Sequence, residues 1–485
     1  MVYGKRHPSG WRFLCLEGRW LTTEQAQARR SSWPRIQAPP EWGIQPVPQD
    51  ARTLRFIDLF VLWSSLGVGL LVLEAGALLV PGLSLGQALL AIGIGTLVGN
   101  LLLALTGVAG SDHAIPTMVL LRPVLGRRGS YLPSVLNLAQ LIGWTAFELW
   151  VIALAANRVS QALFGFSGYG FWLVVFAIWC VLLAMGGPLV VVRQWLEKFG
   201  VWLVYGVTAW MTFYLFTRYD VLGLLQRPGT GEMPFWLAVD LVVAMPISWM
   251  PLVADYTRFA RRSGPAFWGT YLGYFLANVW FYGLGALFVL TVEMAELTPE
   301  HLITAIMAIT GGVVALLVIL VDETDNAFAD IYSAAVTIQN VFPQVSQRLL
   351  VALIGAIGLI LAAFLTMSRY FEFLLLIGSV FVPLFGIFAA DYFVLRQRRL
   401  AVEELYQGAE APAAPTGQLY GHRGGVNWVA VLAWAVGIAV YHIVARSLPW
   451  LGASIPGFVA AFLIYLALVR LGVPAWRAMA SRAGG

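Results

Sequence analysis

Charge is what this chain has least of. Only 11% of its 485 residues are Asp, Glu, Lys or Arg, well under half of what a soluble globular protein carries. A water-soluble domain of this length is excluded. Cysteine is nearly missing too. Cys15 lies in the N-terminal stretch and Cys180 inside an apolar run, so the pair offers neither a disulfide framework nor a metal-ligand cluster. No His-Glu-x-x-His zinc pattern occurs. The formal charge of +5 comes from basic residues in short loops and does not point to nucleic acid. The first 50 residues are polar and basic without a short apolar core, so no cleavable signal is expected.

What the chain has instead is hydrophobic side chains, 59% of all residues, in repeated runs near the ~20 residues a bilayer crossing needs. The pattern predicts an all-α membrane protein with about twelve transmembrane helices. They fall at roughly 56–80, 84–108, 131–156, 169–191, 197–218, 235–255, 266–292, 310–341, 347–366, 370–393, 427–446 and 453–473. The organisation expected is a cytoplasmic N-terminal tail (1–55), spans 1–5 (56–218), spans 6–10 (235–393), two accessory spans (427–473) and a cytoplasmic C-terminal tail (474–485). Residues 110–129 and 293–309 are expected as interfacial connectors, and 401–425 as a loop. With the N-terminus inside, only Arg158, Arg218, Arg227, Arg369 and Arg446 of the 30 Lys and Arg fall on the outer side. The positive-inside bias therefore places both ends in the cytoplasm of a multi-pass cell-membrane protein, in contact with lipid.

Two spans are interrupted near their middles. Span 1 carries Ser64-Ser65-Leu66-Gly67-Val68-Gly69, and span 6 carries Pro246-Ile247-Ser248-Trp249-Met250-Pro251. Glycine weakens a helix, and proline removes a backbone donor and crowds the preceding turn. Either break alone reads as an ordinary kink. Two breaks five spans apart are the mark of an inverted-repeat transporter with its site at mid-membrane.

Polar residues at the same depth support this. Asp322, Asp325, Asn326, Ala329, Asp330, Ser333 and Thr337 form one broad face of span 8 at helical spacing. Buried carboxyl groups in a membrane line a cavity or an ion path. Span 3 sets Trp144 and Glu148 one turn apart on one face. The plainer readings are a water-lined structural stripe for span 8 and core packing for Trp144.

Several motifs resemble the nucleobase–cation symporter family of purine and cytosine permeases and hydantoin transporters. They are Trp42-Gly43-Ile44-Gln45-Pro46-Val47-Pro48, Gly143-Trp144, Ala254-Asp255-Tyr256-Thr257-Arg258-Phe259, Asn326-Ala327-Phe328-Ala329-Asp330-Ile331-Tyr332-Ser333, Pro383-Leu384-Phe385-Gly386 and Ala390-Asp391-Tyr392-Phe393. The resemblance implies a five-plus-five inverted-repeat core of the leucine-transporter type plus two extra helices. It implies import of a flat heterocycle, of cytosine, purine, hydroxymethylpyrimidine or hydantoin/allantoin type, by cation symport with alternating access. No cofactor is implied, only a coupling ion. Trp144 would stack on the substrate. Trp249 would take its other face, with Pro246 or Ser248 as alternatives in register. Glu148 or Gln140 would hydrogen-bond the substrate's rim, and Asn326 and Asp330 lie on the same substrate face. Leu66, Gly67, Gly69, Thr324 and Asp325 match the cation ligands, so Na+ would sit at Leu66, Gly67, Thr324 and Asp325. A carboxylate at Asp325 where the family often has a hydroxyl keeps a proton open as the coupling ion.

Two other classes compete. One is a transporter of the same fold for an amino acid or a cationic vitamin precursor, which Glu148 and Asp325 would suit. The other is a membrane-embedded magnesium-dependent enzyme using Asp322 and Asp325, for which the second acidic motif such chemistry needs is missing.

Overall fold

A computed structural model describes residues 4–6, 12–16, 19–22, 41–191, 199–292, 298–365, 370–406 and 425–471. The expected C-terminal tail at 474–485, Arg369, the stretch 293–297 and most of the loop after residue 401 lie outside the described residues. The chain divides into two units, Met1–Pro40 and Glu41–Gly485. In the first, Gly4–Arg6 (β1), Arg12–Leu16 (β2) and Arg19–Thr22 (β3) form an antiparallel meander, with Leu14 opposite Gly4 on one side and Leu21 on the other. Helices make up the second unit.

Residues 41–55, counted with the N-terminal tail in the sequence reading, are built into this second unit. Gly43 N–H donates to Gln347 Oε1 at 3.1 Å, and Gly43 O accepts from the buried Arg258 guanidinium at 2.7 Å. Leu54 exchanges backbone hydrogen bonds with Phe259 and Arg261.

The first expected span is a broken pair, Phe56–Ser65 (α1) and Leu70–Ala77 (α2), bent by 61° across the Gly67 and Gly69 region. Leu85–His113 (α3) follows. Its start is capped by Ser84, whose Oγ accepts from Gln87 N–H while the Gln87 side chain returns to Ser84 N–H. Ser84 stands in Gly82-Leu83-Ser84-Leu85-Gly86, the spacing of a hydrolase nucleophile turn, but the element leading into it is the helix α2 and its oxygen is spent on the cap. Tyr131–Phe164 (α4), Tyr169–Gly186 (α5) and Val201–Arg218 (α6) complete the first half.

The second half opens with another broken pair, Phe235–Trp249 (α7) and Val253–Thr257 (α8). The helix runs through Pro246 and stops at Trp249, about one turn past the start of the expected interruption. Pro246 is accommodated because Gly99 of α3 leaves room for its ring; a Cβ on Gly99 would lie 2.4 Å from Pro246 Cγ. Pro251 has no N–H to offer the Ile247 carbonyl, so the helix ends before it. Ser263–Thr291 (α9), Pro299–Ala308 (α10), Gly312–Val341 (α11), Gln347–Ala362 (α12), Tyr370–Ala389 (α13), Trp428–Ser447 (α14) and Ser454–Leu471 (α15) follow.

Among the described residues, α3, α4, α5, α9, α13 with its continuation to Leu395, α14 and α15 are long and apolar enough to cross a membrane. The bent pair α1–α2 makes an eighth such span, and α7 and α12 are shorter apolar helices. The helix α11 also has the length to cross, but it carries Asp322, Glu323, Asp325 and Asp330, all buried.

Packing sorts these helices into groups. The broken pairs α1–α2 and α7–α8 pack with α3 and α9, whereas α4 and α11 lie against each other along most of their length and pack with α5 and α12. The accessory helices α14 and α15 pack on each other and on α13, which in turn lies on α7. Small residues permit the closest approaches. A Cβ on Gly285 of α9 would lie 1.9 Å from Leu73 O of α2, and one on Gly76 of α2 would lie 2.1 Å from Tyr282 O of α9.

Candidate functional site

The breaks in the two interrupted pairs and the polar midpoints of α4 and α11 line one cavity. Leu66, Gly69, Leu71 and Val72 line it from the first broken pair, and Met245, Ser248 and Trp249 from the second. Trp144 and Glu148 line it from α4, and Glu323, Asn326 and Asp330 from α11. Six of the seven residues predicted for the substrate therefore meet at one cavity: Trp144, Glu148, Ser248, Trp249, Asn326 and Asp330. The seventh, Gln140, braces the wall. Its Nε2 donates to Ser248 O at 2.9 Å and Asn137 Oδ1 at 2.7 Å, tying α4 to α7.

The aromatic walls are held by other rings. Trp144 stands edge-on to Phe147, Tyr370 and Phe373, with centroids 5.3–6.4 Å apart. Trp249 stands edge-on to the fully buried Trp63 at 6.1 Å, and Trp63 in turn meets Tyr256 and Tyr274. Ring edges grip each tryptophan, and a planar ligand suits such walls.

Glu323 was not among the expected site residues. Its Oε2 accepts from Leu70 N–H at 2.9 Å, which meets the first free backbone donor of α2. Gly69 makes space for this, since a Cβ there would lie 2.9 Å from Glu323 Oε2. Asn326 Nδ2 donates to Val68 O at 2.9 Å, meeting a carbonyl of the same break. The Glu323 carboxyl group also lies within hydrogen-bonding reach of Glu148 from α4. The sequence did hold a signal, because residues 323, 326 and 330 follow helical three-and-four spacing.

The neighbouring face of α11 meets α1. The Ser65 hydroxyl lies 2.6 Å from Asp322 Oδ1 and 3.3 Å from Asp325 Oδ2. Neither Asp322 Oδ2 nor Asp325 Oδ1 has a hydrogen-bond partner, and both are buried. Among the expected cation ligands, Asp325 is in this cluster and Leu66 and Gly69 border the cavity beside it. Thr324 instead donates its hydroxyl to Val321 O of its own helix at 2.7 Å. Gly67 packs on Ala277 of α9. Ser65 and Asp322 complete the cluster; from sequence Ser65 is only part of the interrupted stretch, and Asp322 is part of the polar stripe and a candidate magnesium ligand.

Residues 46–467 match the family described as permease for cytosine/purines, uracil, thiamine and allantoin. The chain belongs to that family. This permease is 26% identical over 449 residues to the hydantoin permease of Microbacterium maritypicum, covering 88% of each chain. It is 26% identical over 419 residues to the cytosine permease of Escherichia coli strain K12, covering 85% of this chain and 89% of that one. Among solved structures it resembles Mhp1, a nucleobase-cation-symport-1 family transporter in a closed conformation with bromovinylhydantoin bound. The TM-score is 0.78 at 22% identity, over 92% of this chain and 99% of that one. The permease is a multi-pass membrane transporter whose second unit is helical, with the five-plus-five inverted-repeat core.

Proposed function

We propose that this permease imports a nucleobase or related heterocycle, of cytosine, purine, hydroxymethylpyrimidine or hydantoin/allantoin type, by symport with a monovalent cation, Na+ or H+. The observation that carries this reading is that Trp144 and Trp249, one from each packed group of helices, line one cavity together with Glu148, Glu323, Asn326 and Asp330. Stacking on indole contributes ~1–3 kcal/mol per base and tolerates many bases. Hydrogen bonds at the rim then discriminate, because a wrong ring leaves buried groups unpaired. An amino acid is disfavoured: no Lys, Arg or His stands among the described residues lining the cavity to receive its carboxylate.

The coupling cation is assigned to Ser65, Asp322 and Asp325, with carbonyls of Leu66, Gly67 and Gly69 in reach of the same break. Unpartnered carboxylate oxygens at mid-membrane suit either a metal cation or a proton. The packing supports alternating access by rocking of one helix group against the other around this midplane site. We place the protein in the cell membrane with twelve crossings and both termini cytoplasmic, and read it as a transporter and not an enzyme.

The test is uptake of radiolabelled cytosine, adenine, uracil, hydroxymethylpyrimidine, hydantoin and allantoin by proteoliposomes, with and without sodium and with a protonophore. At least one ring should accumulate in a way that depends on a cation gradient. Failure of every ring to enter would sink the reading.

A further inference from the structure

The hydrogen-bonding capacity of the cavity is lopsided. Its acceptors outnumber its free donors. Glu148 Oε2, Glu323 Oε1 and Asn326 Oδ1 are buried, and no protein N–H or hydroxyl reaches them. The Asp330 carboxyl group lines the same space. The donors around it are mostly committed to other protein atoms. Asn326 Nδ2 serves Val68 O, Gln140 Nε2 serves Ser248 O and Asn137 Oδ1, and Ser248 Oγ serves Met245 O at 2.6 Å. The indole N–H of Trp144 stands without a partner, on a ring that lines the cavity.

A buried acceptor without a donor is costly, the more so when it is charged. A substrate that brings N–H groups to Glu148 and Glu323 removes that cost. One that brings carbonyl oxygens sets lone pairs against lone pairs. We propose, resting on the heterocycle reading above, that Glu148 and Glu323 make this permease selective for flat rings with a donor edge. The class is an amino or amidine group, neutral or cationic, on a planar nitrogen heterocycle. Rings whose facing edge is an imide, carbonyl–N–H–carbonyl, are refused. The two carboxyl groups reach the cavity from different helices, α4 and α11, so they can take the two N–H groups of one exocyclic amine, or an amine and a neighbouring ring N–H, as a fork.

The experiment uses the full-length protein in lipid nanodiscs, with direct binding of radiolabelled cytosine and uracil and the other rings as competitors against each. Amino-substituted competitors are cytosine, adenine and 4-amino-5-hydroxymethyl-2-methylpyrimidine. Imide competitors are uracil, hydantoin and xanthine. The best amino ring should bind at least about tenfold more tightly than the best imide ring. Glu323→Gln and Glu148→Gln each supply an amide N–H and should narrow that ratio, mainly by weakening the amino rings. Equal or tighter binding of imide rings by the unmodified protein overturns the edge preference and leaves the heterocycle reading standing. Absence of binding by any flat ring overturns both. A ratio unchanged in both glutamine variants would assign the preference to other residues and end the role proposed for this pair.

Discussion

Ser65 and Asp322, 257 residues apart in the chain, meet in a 2.6 Å hydrogen bond at the break of the first membrane-spanning segment. Asp325 lies on the far side of the same hydroxyl at 3.3 Å. One hydroxyl proton cannot fully serve two carboxylates, so the cluster is left with negative charge or unmet acceptors. A bound cation would meet them. Asp325→Asn keeps one oxygen and removes the charge. Uphill accumulation of substrate should fall by tenfold or more, while exchange across the membrane continues. Partial rescue by raised sodium identifies Na+ as the partner. Exchange without rescue, together with collapse of wild-type uptake by a protonophore, identifies H+. Undiminished accumulation by Asp325→Asn would remove this cluster from coupling.

Trp144 lines the cavity and makes T-shaped contacts with Phe147, Tyr370 and Phe373. Losing ~1–3 kcal/mol of stacking corresponds to roughly a five- to 150-fold weaker substrate affinity. Trp144→Ala should show that loss and Trp144→Phe a smaller one, with both variants reaching the membrane at normal levels. Binding constants from equilibrium dialysis check this. Equal losses in the two variants would speak against stacking.

The approach of α9 to α2 gives a stability prediction. A methyl group at Gly285 would stand 1.9 Å from the Leu73 carbonyl oxygen, a backbone atom that cannot turn aside. Gly285→Ala should therefore cost more than the ~1–3 kcal/mol typical of overpacking. It should show as a lowered melting temperature in detergent or as loss of folded protein. Gly283→Ala is the control, because its methyl would meet only Leu89 Cδ2 at an ordinary 3.5 Å. Similar melting temperatures for the two variants would refute the packing argument.

Much of this was legible in the chain because membrane burial makes polar residues conspicuous. Trp144 and Glu148 one turn apart, and the acidic stripe on span 8, could be read from spacing alone, and their meeting at one cavity followed from the two interrupted spans. What stayed hidden depends on rotation within a helix. The stripe on α11 is two faces: Glu323, Asn326 and Asp330 turn to the cavity, while Asp322 and Asp325 turn to Ser65. A face ~100° wide cannot be divided this way until the neighbouring helices are known. Ser65 was invisible as a ligand, because serine in a glycine-rich stretch reads first as a helix breaker. The exact stop of α7 was hidden as well. It depends on Gly99, a residue on another helix, giving Pro246 the room to stay helical.

The contacts of α9 also bear on which parts of the molecule can move. Gly273 lies beneath Phe60 of α1, where a Cβ would stand 2.4 Å from a carbonyl oxygen, and Gly285 and Gly76 seat α9 on α2. One straight helix is thus fastened to both arms of the 61° bend. Flexing that bend would drive backbone into backbone at one end or tear the seam open at the other. The broken helix behaves as a braced elbow and not a joint, so the freedom needed for opening has to come from sliding at its border with α4 and α11, where the helices make far fewer contacts.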